Sequence, residues 1–301
     1  MLTSACAGAV ARVPRESSIR VGTAELYVRE VGDGPPIIVL HGGPDFDHTY
    51  LLPEMDALAD SFRLIYYDQR GRGASARGVA PEDVSLESEM ADLDAVREHF
   101  GSPSVTLLGH SFGTVLALEY AVRHPDRVTA LILMNPAPAS HADFLLLKSE
   151  RARRWPEDVA RLKLLAATDG YRRADPDAVA AYYRVHFRAA LARPEDVEKV
   201  VVKLRASFTP EAILKARKIE TRIYEFTWFR DDYDLLPKLG DLRIPTLVLG
   251  GDHEFIPEEC AAHIAQAIPG ARRVTFRDCG HFSYLECPAD VRRELDAFFK
   301  R

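Results

Sequence analysis

The segment GHSFG, residues 109–113, places a serine between two glycines where a short apolar run gives way to a helical pattern. The run SVTLL before it predicts a strand, and apolar residues at helical spacing follow Ser111. A sharp turn from strand to helix crowds its neighbours, and glycine relieves the crowding because it has no side chain. The pattern therefore predicts that the Ser111 hydroxyl is held clear of the sheet as a nucleophile.

A serine hydroxyl needs a base to take its proton before it can attack a carbonyl carbon. The chain has ten histidines, but only His281, in DCGHFSYLE, follows a strand-like run and a glycine close to the C-terminus. A final loop there would bring the imidazole to Ser111. We expect structural roles for His110, His124 and His263, because they lie on the serine turn or on predicted helices.

The histidine in turn needs a carboxylate that orients it, and the loop GGDHEFIP gives the chain order serine, acid, histidine. Asp252 and Glu254 both lie in that loop, and both remain candidates. We favour Glu254, because the third position past Gly251 is where the loop has turned away from the strand. Asp278 is too near His281 in the chain to reach its second nitrogen easily.

Two backbone N–H groups are expected to stabilise the charge on the carbonyl oxygen in the transition state. Phe112, directly after the serine, supplies one of them. The loop HGGPD, residues 41–45, supplies the other, and Gly43 is the predicted donor because Pro44 has no N–H. We expect His41 to support this loop by hydrogen bonding.

The elements that position these residues follow an alternating pattern. Strand-like runs alternate with helical ones in residues 1–137 and again in 241–301, which predicts an α/β fold with parallel strands. Residues 138–240 are mostly helical, with helix starts at Asp175-Pro176 and Thr209-Pro210. The predicted organisation is a core in two parts that is interrupted by a helical cap.

Two further features of the first part concern local structure. The segment LLPEMDALADSF, residues 51–62, predicts a helix, and the glycine-rich DQRGRGAS that follows the next strand predicts a turn. Residues 1–16 lack the basic region and the apolar length of a signal peptide, so we expect a loose N-terminal arm.

The composition is that of an ordinary folded protein without a basic surface. Of 301 residues, 47% are hydrophobic and 28% are charged, which suits one large domain or one domain with an insertion. A formal net charge of −6 and the lack of Lys and Arg runs predict no nucleic-acid or membrane partner. We expect no cofactor and no metal, and the oligomeric state is left open.

The cysteines have no CxxC spacing and are too few for a disulfide framework in a chain of this length. The pattern predicts reduced thiols in a cytoplasmic protein. The four residues are Cys6, Cys260, Cys279 and Cys287.

The motifs HGGPD, YDQRGRGAS, GHSFG and GHFSYLECP, in this order, resemble the α/β-hydrolase superfamily. The combination of HGGP with DQRGRG is most similar to the proline iminopeptidase family of serine peptidases. The resemblance covers about residues 24–299 but little of the cap. It implies an α/β-hydrolase fold, with a mostly parallel central sheet flanked by helices and an inserted cap. It further implies that Ser111 is the nucleophile, His281 the general base and then acid, and Gly43 with Phe112 the oxyanion donors.

Three residues depart from the family's pattern: Asp45 replaces the usual glycine after HGGP, Glu254 replaces the usual aspartate, and Phe112 replaces tryptophan. The resemblance also implies that acidic cap residues hold the free amino terminus of a peptide substrate. The family's tryptophan-tryptophan-glutamate signature is not found in the cap. Glu220 and Glu225 are the candidates for this role, with ordinary solvated acids as the alternative.

The predicted activity is hydrolysis of a small ester or amide through an acyl-enzyme on Ser111, and release of an N-terminal residue from a short peptide is favoured. Tyr224 and Trp228 are the predicted apolar pocket walls. A carboxylesterase or lactonase is the alternative within this class, and a ligand receptor of the same fold without catalysis is the alternative outside it. Epoxide hydrolases and haloalkane dehalogenases are disfavoured, because both need an aspartate in place of Ser111.

Overall fold

The computed structural model describes residues 13–300, which are built on an eight-stranded sheet. Its order from edge to edge is β1-β2-β4-β3-β5-β6-β7-β8. The strands are β1 Arg15–Val21, β2 Ala24–Val31, β3 Pro36–Leu40, β4 Arg63–Tyr67, β5 Val105–His110, β6 Val128–Met134, β7 Thr246–Gly251 and β8 Arg272–Phe276. β2 pairs antiparallel with β1 and β4, and the other pairs are parallel. The predicted α/β fold with a mostly parallel sheet is confirmed.

Helices fill the connections between the parallel strands. The helices are α1 Leu86–His99, α2 Gly113–Arg123, α3 His141–Arg154, α4 Pro156–Ala166, α5 Asp169–Arg172, α6 Pro176–Arg188, α7 Val197–Ala206, α8 Pro210–Phe226, α9 Leu236–Leu239, α10 Glu258–Ala267, α11 Ser283–Glu286 and α12 Pro288–Phe299. Short 3₁₀ segments lie at His48–Leu51, Glu54–Asp60, Gly73–Ala76, Pro81–Asp83, Pro125–Arg127 and Pro194–Asp196.

The central strands are apolar throughout because both faces of the sheet are covered. On β3, Ile38 and Leu40 belong to one hydrophobic cluster, whereas Ile37 and Val39 belong to another. Side chains alternate between the faces of a strand, so the two clusters lie on opposite faces. This explains the continuous apolar run PIIVL, which is typical of a parallel strand buried on both sides.

Residues between β6 and β7 form the helices α3 to α9, and the two predicted helix starts are confirmed. Asp175 Oδ1 accepts a hydrogen bond from the N–H of Ala178 at 2.9 Å, and Thr209 Oγ1 accepts one from the N–H of Ala212 at 3.1 Å. Each side chain satisfies an N–H of the first helical turn that has no backbone partner. The boundaries of a separate cap domain stay a prediction.

Two local features differ from the sequence prediction. β1 is a strand, although five of its seven residues are exposed and it therefore lacks an apolar pattern. The helix predicted over residues 51–62 is instead two 3₁₀ segments, one before and one after Pro53. Proline has no N–H and disfavours a helical conformation at the preceding residue, so it interrupts the helix. The predicted arm and Cys6 lie largely or wholly outside the described residues.

Candidate active site

Ser111 lies on the turn between β5 and α2 with a φ of 55°, in the left-handed region. Its N–H donates to the carbonyl of Met134 at 3.0 Å, which joins the turn to β6. A Cβ on Gly109 would lie 2.5 Å from the carbonyl oxygen of Gly113, and one on Gly113 would lie 2.1 Å from that of Leu40. Close backbone packing therefore requires both glycines, as the sequence predicts.

His281 lies in the loop between β8 and α11, and its side chain is 3% exposed. Its Nδ1 is 2.8 Å from Glu254 Oε1, and its backbone N–H donates to the carbonyl of Ala190 at 2.7 Å. The imidazole also contacts the ring of Phe255, with 4.7 Å between the ring centres. Because the carboxylate engages Nδ1, Nε2 is the nitrogen left to exchange a proton with a substrate or nucleophile.

Asp252, the alternative acid, does not contact this imidazole. Its Oδ1 lies 2.7 Å from Nδ1 of His253 and accepts the N–H of Cys279 at 3.3 Å. Its side chain is 40% exposed, whereas that of Glu254 is 11% exposed. The fold therefore brings Glu254, and not Asp252, to His281. The catalytic role of this pair stays a prediction.

Asn135 is a site residue that the sequence analysis missed. Its Nδ2 donates to Glu254 Oε2 at 2.9 Å and to the carbonyl of Gly280 at 3.0 Å, while its Oδ1 accepts from Ser283 Oγ at 2.6 Å. The Asn135 side chain is therefore hydrogen-bonded to Glu254 and to a residue on each side of His281. A polar residue directly after the apolar run of β6 is the only sequence signal that pointed to it.

The predicted oxyanion donors border the same cavity as Ser111. Gly42 donates its N–H to Tyr50 Oη at 2.8 Å, so this amide is occupied. Among residues 13–300, the amides of Gly43 and Phe112 have no hydrogen-bond acceptor. Both residues line the cavity. The arrangement leaves two N–H groups free to bind a ligand oxygen, while their catalytic role stays a prediction.

His110 connects the two loops that flank the serine. Tyr50 Oη lies 2.6 Å from His110 Nδ1, and His110 Nε2 lies 2.9 Å from the carbonyl oxygen of His281. Burial and the nearby His281 lower the pKa of His110 well below its usual value, so the ring is neutral. A proton on Nε2 satisfies the chain from Gly42 through Tyr50 and His110 to His281. His110 therefore has a positioning role, consistent with the structural role expected for it.

The DQRGRGAS turn supports the loop that carries Gly43. The N–H of Gln69 donates to His41 Nε2 at 3.1 Å, and Arg72 Nε donates to the carbonyl of Pro44 at 2.8 Å. Burial lowers the pKa of His41 to about 4, which keeps it an acceptor. Arg72 also forms a buried ion pair with Glu89. His41 thus supports the loop as expected.

A cavity of about 460 Å³ lies beside Ser111 and His281. The turn and loop residues form its floor, and side chains of α3, α6 and α8 form the opposite wall. The predicted walls Tyr224 and Trp228 are among the lining residues. Its volume is in the range that small-molecule sites occupy.

Two acids line this cavity without a direct ion pair among residues 13–300, although the more distant Arg217 acts on both of them. Tyr183 Oη donates to Asp45 Oδ2 at 3.0 Å, and Tyr224 Oη donates to Glu220 Oε1 at 2.9 Å. No Lys or Arg nitrogen of residues 13–300 lies within 4.0 Å of either carboxylate. Burial and the charge of Asp45 raise the pKa of Glu220 to about 8, and burial raises that of Asp45. Glu225 instead has a side chain that is 57% exposed and lies outside the lining.

The family model for the alpha/beta hydrolase fold matches residues 35–288, which is most of the chain. The chain belongs to the alpha/beta hydrolase family. A proline iminopeptidase of Lactobacillus helveticus is 29% identical over 280 residues, covering 87% of this chain and 90% of that protein. The crystal structure of the proline iminopeptidase of Mycobacterium smegmatis superposes with a TM-score of 0.71 at 25% identity, covering 94% of this chain and 97% of that one. The predicted resemblance to proline iminopeptidases is confirmed.

Another solved structure of this fold has a different named activity. A thermophilic esterase from Thermogutta terrifontis has a TM-score of 0.67 and 25% identity, and covers 97% of this chain and 98% of its own. The chain is thus a hydrolase-family protein whose relatives include peptidases and esterases.

The cysteine prediction is wrong for two residues. Cys279 and Cys287 form a disulfide with 6.2 Å between their Cα atoms, and the loop that it closes contains His281. Spacing in the sequence gave no signal, because the α11 turn brings the two residues together only in the fold. Cys260 is a buried free thiol, as expected. Disulfides are favoured in oxidising compartments, so the cysteines no longer support a cytoplasmic location.

No helix of residues 13–300 is both long and apolar enough to cross a bilayer. Nor does the range contain a group of three His, Cys, Asp or Glu side chains arranged to hold a metal ion.

Proposed function

We propose that this protein is a serine hydrolase that opens a small ester or amide through an acyl-enzyme on Ser111. The observation that carries the proposal is the contact of 2.8 Å between Glu254 and His281 at the cavity that Ser111 lines. A carboxylate on Nδ1 fixes the imidazole tautomer and stabilises the imidazolium that forms when Nε2 accepts a proton.

In the proposed reaction, Ser111 Oγ attacks the carbonyl carbon while His281 Nε2 takes the hydroxyl proton. The resulting oxyanion is bound by the N–H groups of Gly43 and Phe112, whose amides are unoccupied in the described part of the chain. His281 then gives the proton to the leaving group, and water releases the acyl group by the same steps. The proposal includes no cofactor.

The favoured substrate is a short peptide that loses its N-terminal residue. Asp45 and Glu220 support this choice, because these two buried carboxylates are costly to ionise together, and the more distant Arg217 leaves the pKa of Glu220 raised to about 8. A protonated amino terminus placed between them would supply a cation in direct contact. The similarity to proline iminopeptidases is in accord with this substrate. Helices α3, α6 and α8 would then act as a cap that binds the substrate.

The experiment that tests this choice is a panel of aminoacyl anilides, including proline, assayed beside p-nitrophenyl esters. We expect turnover of anilides with a free amine and at least about tenfold slower turnover when the amine is acetylated. If esters are turned over while every anilide is inert, the peptidase assignment is wrong. The similarity to the Thermogutta esterase makes a carboxylesterase the second candidate in that case.

A further inference from the structure

One face of α3 adds two cations to the cavity wall. Phe144, Leu147, Lys148 and Arg151 line the cavity, at the spacing of one helical face. Lys148 is exposed, and its Nζ lies 5.1 Å from the ring centre of Phe144. The side chain of Arg151 is less exposed than that of Lys148. The wall therefore presents positive charge to whatever enters the cavity.

Arg151 is a guanidinium that has no counter-ion in the part of the chain that the structure describes. No carboxylate of residues 13–300 lies within 4.0 Å of it, whereas Arg153 and Arg188 each pair with an acid. Its polar contacts are both with His186, at 3.0 Å to the carbonyl oxygen and 3.4 Å to Nε2. Burial lowers the pKa of Arg151 from its usual value, but a guanidinium stays charged at any ordinary pH. Burying a cation without an anion costs folding free energy, so the site around Arg151 favours a ligand that supplies an anion.

His186 adds a second donor next to this cation. Burial, together with the charges of Arg151 and His281, lowers the pKa of His186 well below its usual value, so the ring is neutral. A neutral ring that accepts from Arg151 at Nε2 carries its proton on Nδ1. That Nδ1 is buried and has no hydrogen-bond partner among the described residues, and His186 lines the cavity. An unpartnered buried N–H is uncommon and calls for an acceptor.

Phe255 places the two donors on the His281 side of the cavity. The Arg151 guanidinium carbon lies 5.2 Å from the ring centre of Phe255, and that ring lies 4.7 Å from the ring centre of His281. His186 packs on the same ring at 5.9 Å. Since the histidine gives its proton to the leaving group, a group bound here belongs to the leaving half of the substrate.

We propose that Arg151, held in place by its contacts with His186, binds a carboxylate on the leaving half of the substrate. This inference rests on the proposed hydrolase function and narrows its substrate class to molecules with an anionic leaving group, such as a dipeptide with a free C-terminal carboxylate. The acids Asp45 and Glu220 would bind the amino end of such a molecule, and Arg151 its carboxyl end.

The test compares substrates that differ only in this charge. One pair is prolylglycine and prolylglycinamide, and the other is 4-acetoxybenzoate and 4-acetoxybenzamide, which requires no peptidase activity. We expect kcat/KM to favour the anionic member about 10-fold to 100-fold, chiefly through KM, because a charge-assisted contact is lost in the neutral one. Equal kcat/KM within both pairs, or a preference for the amides, would overturn the proposal.

Variants assign the effect to a residue. Arg151→Gln should abolish the preference, because kcat/KM falls far more for the anionic member than for the neutral one, and Arg151→Lys should restore part of it. Arg153→Gln is the matched control, because Arg153 lies on the same helix, is exposed and pairs with Glu150 at 2.9 Å. If Lys148→Gln removes the preference and Arg151→Gln keeps it, the assignment to Arg151 is wrong. A uniform loss on both members in Arg151→Gln would indicate a merely structural contact with His186.

Binding without turnover separates this inference from the proposed function. Calorimetry on the wild-type protein with 4-hydroxybenzoate and 4-hydroxybenzamide should show at least about tenfold tighter binding of the anion, and Arg151→Gln should remove the difference. If that difference is found in a protein that hydrolyses nothing, the hydrolase proposal fails and the carboxylate site stands. If hydrolysis is found without any preference for the anion, the carboxylate site fails and the hydrolase stands.

Discussion

The loops at the carboxyl end of the sheet around Ser111, here called the rim, differ from the helical wall of α3, α6 and α8 across the cavity. The difference is in how many hydrogen-bond and ion-pair partners their polar groups have. At the rim, Glu254, Asn135 and His110 make hydrogen bonds that fix them from several directions. On the wall, Arg151 has no carboxylate within 4.0 Å among residues 13–300, and burial and the charge of Asp45 disfavour ionisation of Glu220. Groups that perform chemistry must be rigid before the substrate arrives, whereas groups that bind it need partners that the substrate brings. The difference therefore separates candidate catalytic residues from candidate binding residues.

Substitutions of the two loop acids, Glu254 and Asp252, test the role of the rim most severely. Glu254→Gln should lower kcat by about 1000-fold or more, because an amide cannot stabilise the imidazolium on His281. Asp252→Asn should stay within a few-fold of wild type, since Asp252 contacts His253 instead. The kcat of both variants on one ester decides the question. The reverse ranking would transfer the role of the acid to Asp252.

Glu220→Gln tests the helical wall. This substitution should lower kcat/KM for amine-bearing substrates by about 10-fold to 100-fold. Neutral esters should be unaffected, since they bring no charge for this residue to bind. Glu225→Gln is the matched control, because Glu225 lies on the same helix with an exposed side chain. Equal losses on amine-bearing and neutral substrates would remove Glu220 from substrate binding.

Because the pKa of Glu220 is raised from 4.5 to about 8, both the stability of the protein and its binding of amine-bearing substrates should depend on pH. The folded protein keeps a proton that the unfolded chain releases above about pH 4.5, so the free energy of unfolding should fall as pH rises toward 8. Over the same range kcat/KM for amine-bearing substrates should rise, because the ionised acid binds the cation. Denaturant titrations and pH-rate profiles of wild type and Glu220→Gln measure both slopes. Identical profiles in the two proteins would contradict the assignment.

A smaller effect is expected from the disulfide that encloses the His281 loop. Removing it in the double variant Cys279→Ser/Cys287→Ser should lower the free energy of unfolding by about 2–3 kcal/mol, because the unfolded chain regains conformational freedom. Urea unfolding with and without reductant gives the measurement. Wild type should respond to the reductant and the double variant should not. An equal response in both would show that the link contributes nothing to stability.

The smallest expected effect concerns the hydrogen bonds that connect the two rim loops. Tyr50→Phe leaves the N–H of Gly42 and Nδ1 of His110 buried without a partner, which should cost about 1–2 kcal/mol of unfolding free energy. Tyr67→Phe is the control, because its buried hydroxyl has no hydrogen-bond partner in the described range. Thermal unfolding of both variants tests the difference. If Tyr67→Phe is as destabilising as Tyr50→Phe, the hydrogen bonds through His110 contribute nothing specific to the unfolding free energy.

Sequence reasoning succeeded where the signal is local. The glycines around Ser111 report a turn within five residues, and the capping side chains of Asp175 and Thr209 act on the next three positions. It also favoured Glu254, the acid that the fold brings to His281. Chain order restricts the acid to one loop, and the third position past Gly251 favoured Glu254 over Asp252. The apolar run of β3 predicted a strand covered on both faces, as the two clusters show.

Sequence reasoning missed the features that depend on contacts between distant segments. Asp45 was noted only as a departure from a family pattern, and its influence on Glu220 arises because two segments far apart in the chain line one cavity. Arg151 gave no signal, because an unpaired arginine cannot be distinguished from a paired one before its neighbours are known. The bond between Cys279 and Cys287 was missed for the same reason, since a short helix brings the two sulfurs together.

The central claim is that the nucleophilicity of Ser111 depends on His281, and labelling with a fluorophosphonate tests it most directly. Intact mass spectrometry should find one phosphonyl group per wild-type chain, no labelling of Ser111→Ala, and labelling slowed by about 1000-fold or more in His281→Ala. Folded wild-type protein that stays unlabelled, or a His281→Ala variant labelled at the wild-type rate, would contradict the account and favour a ligand-binding protein of the same fold.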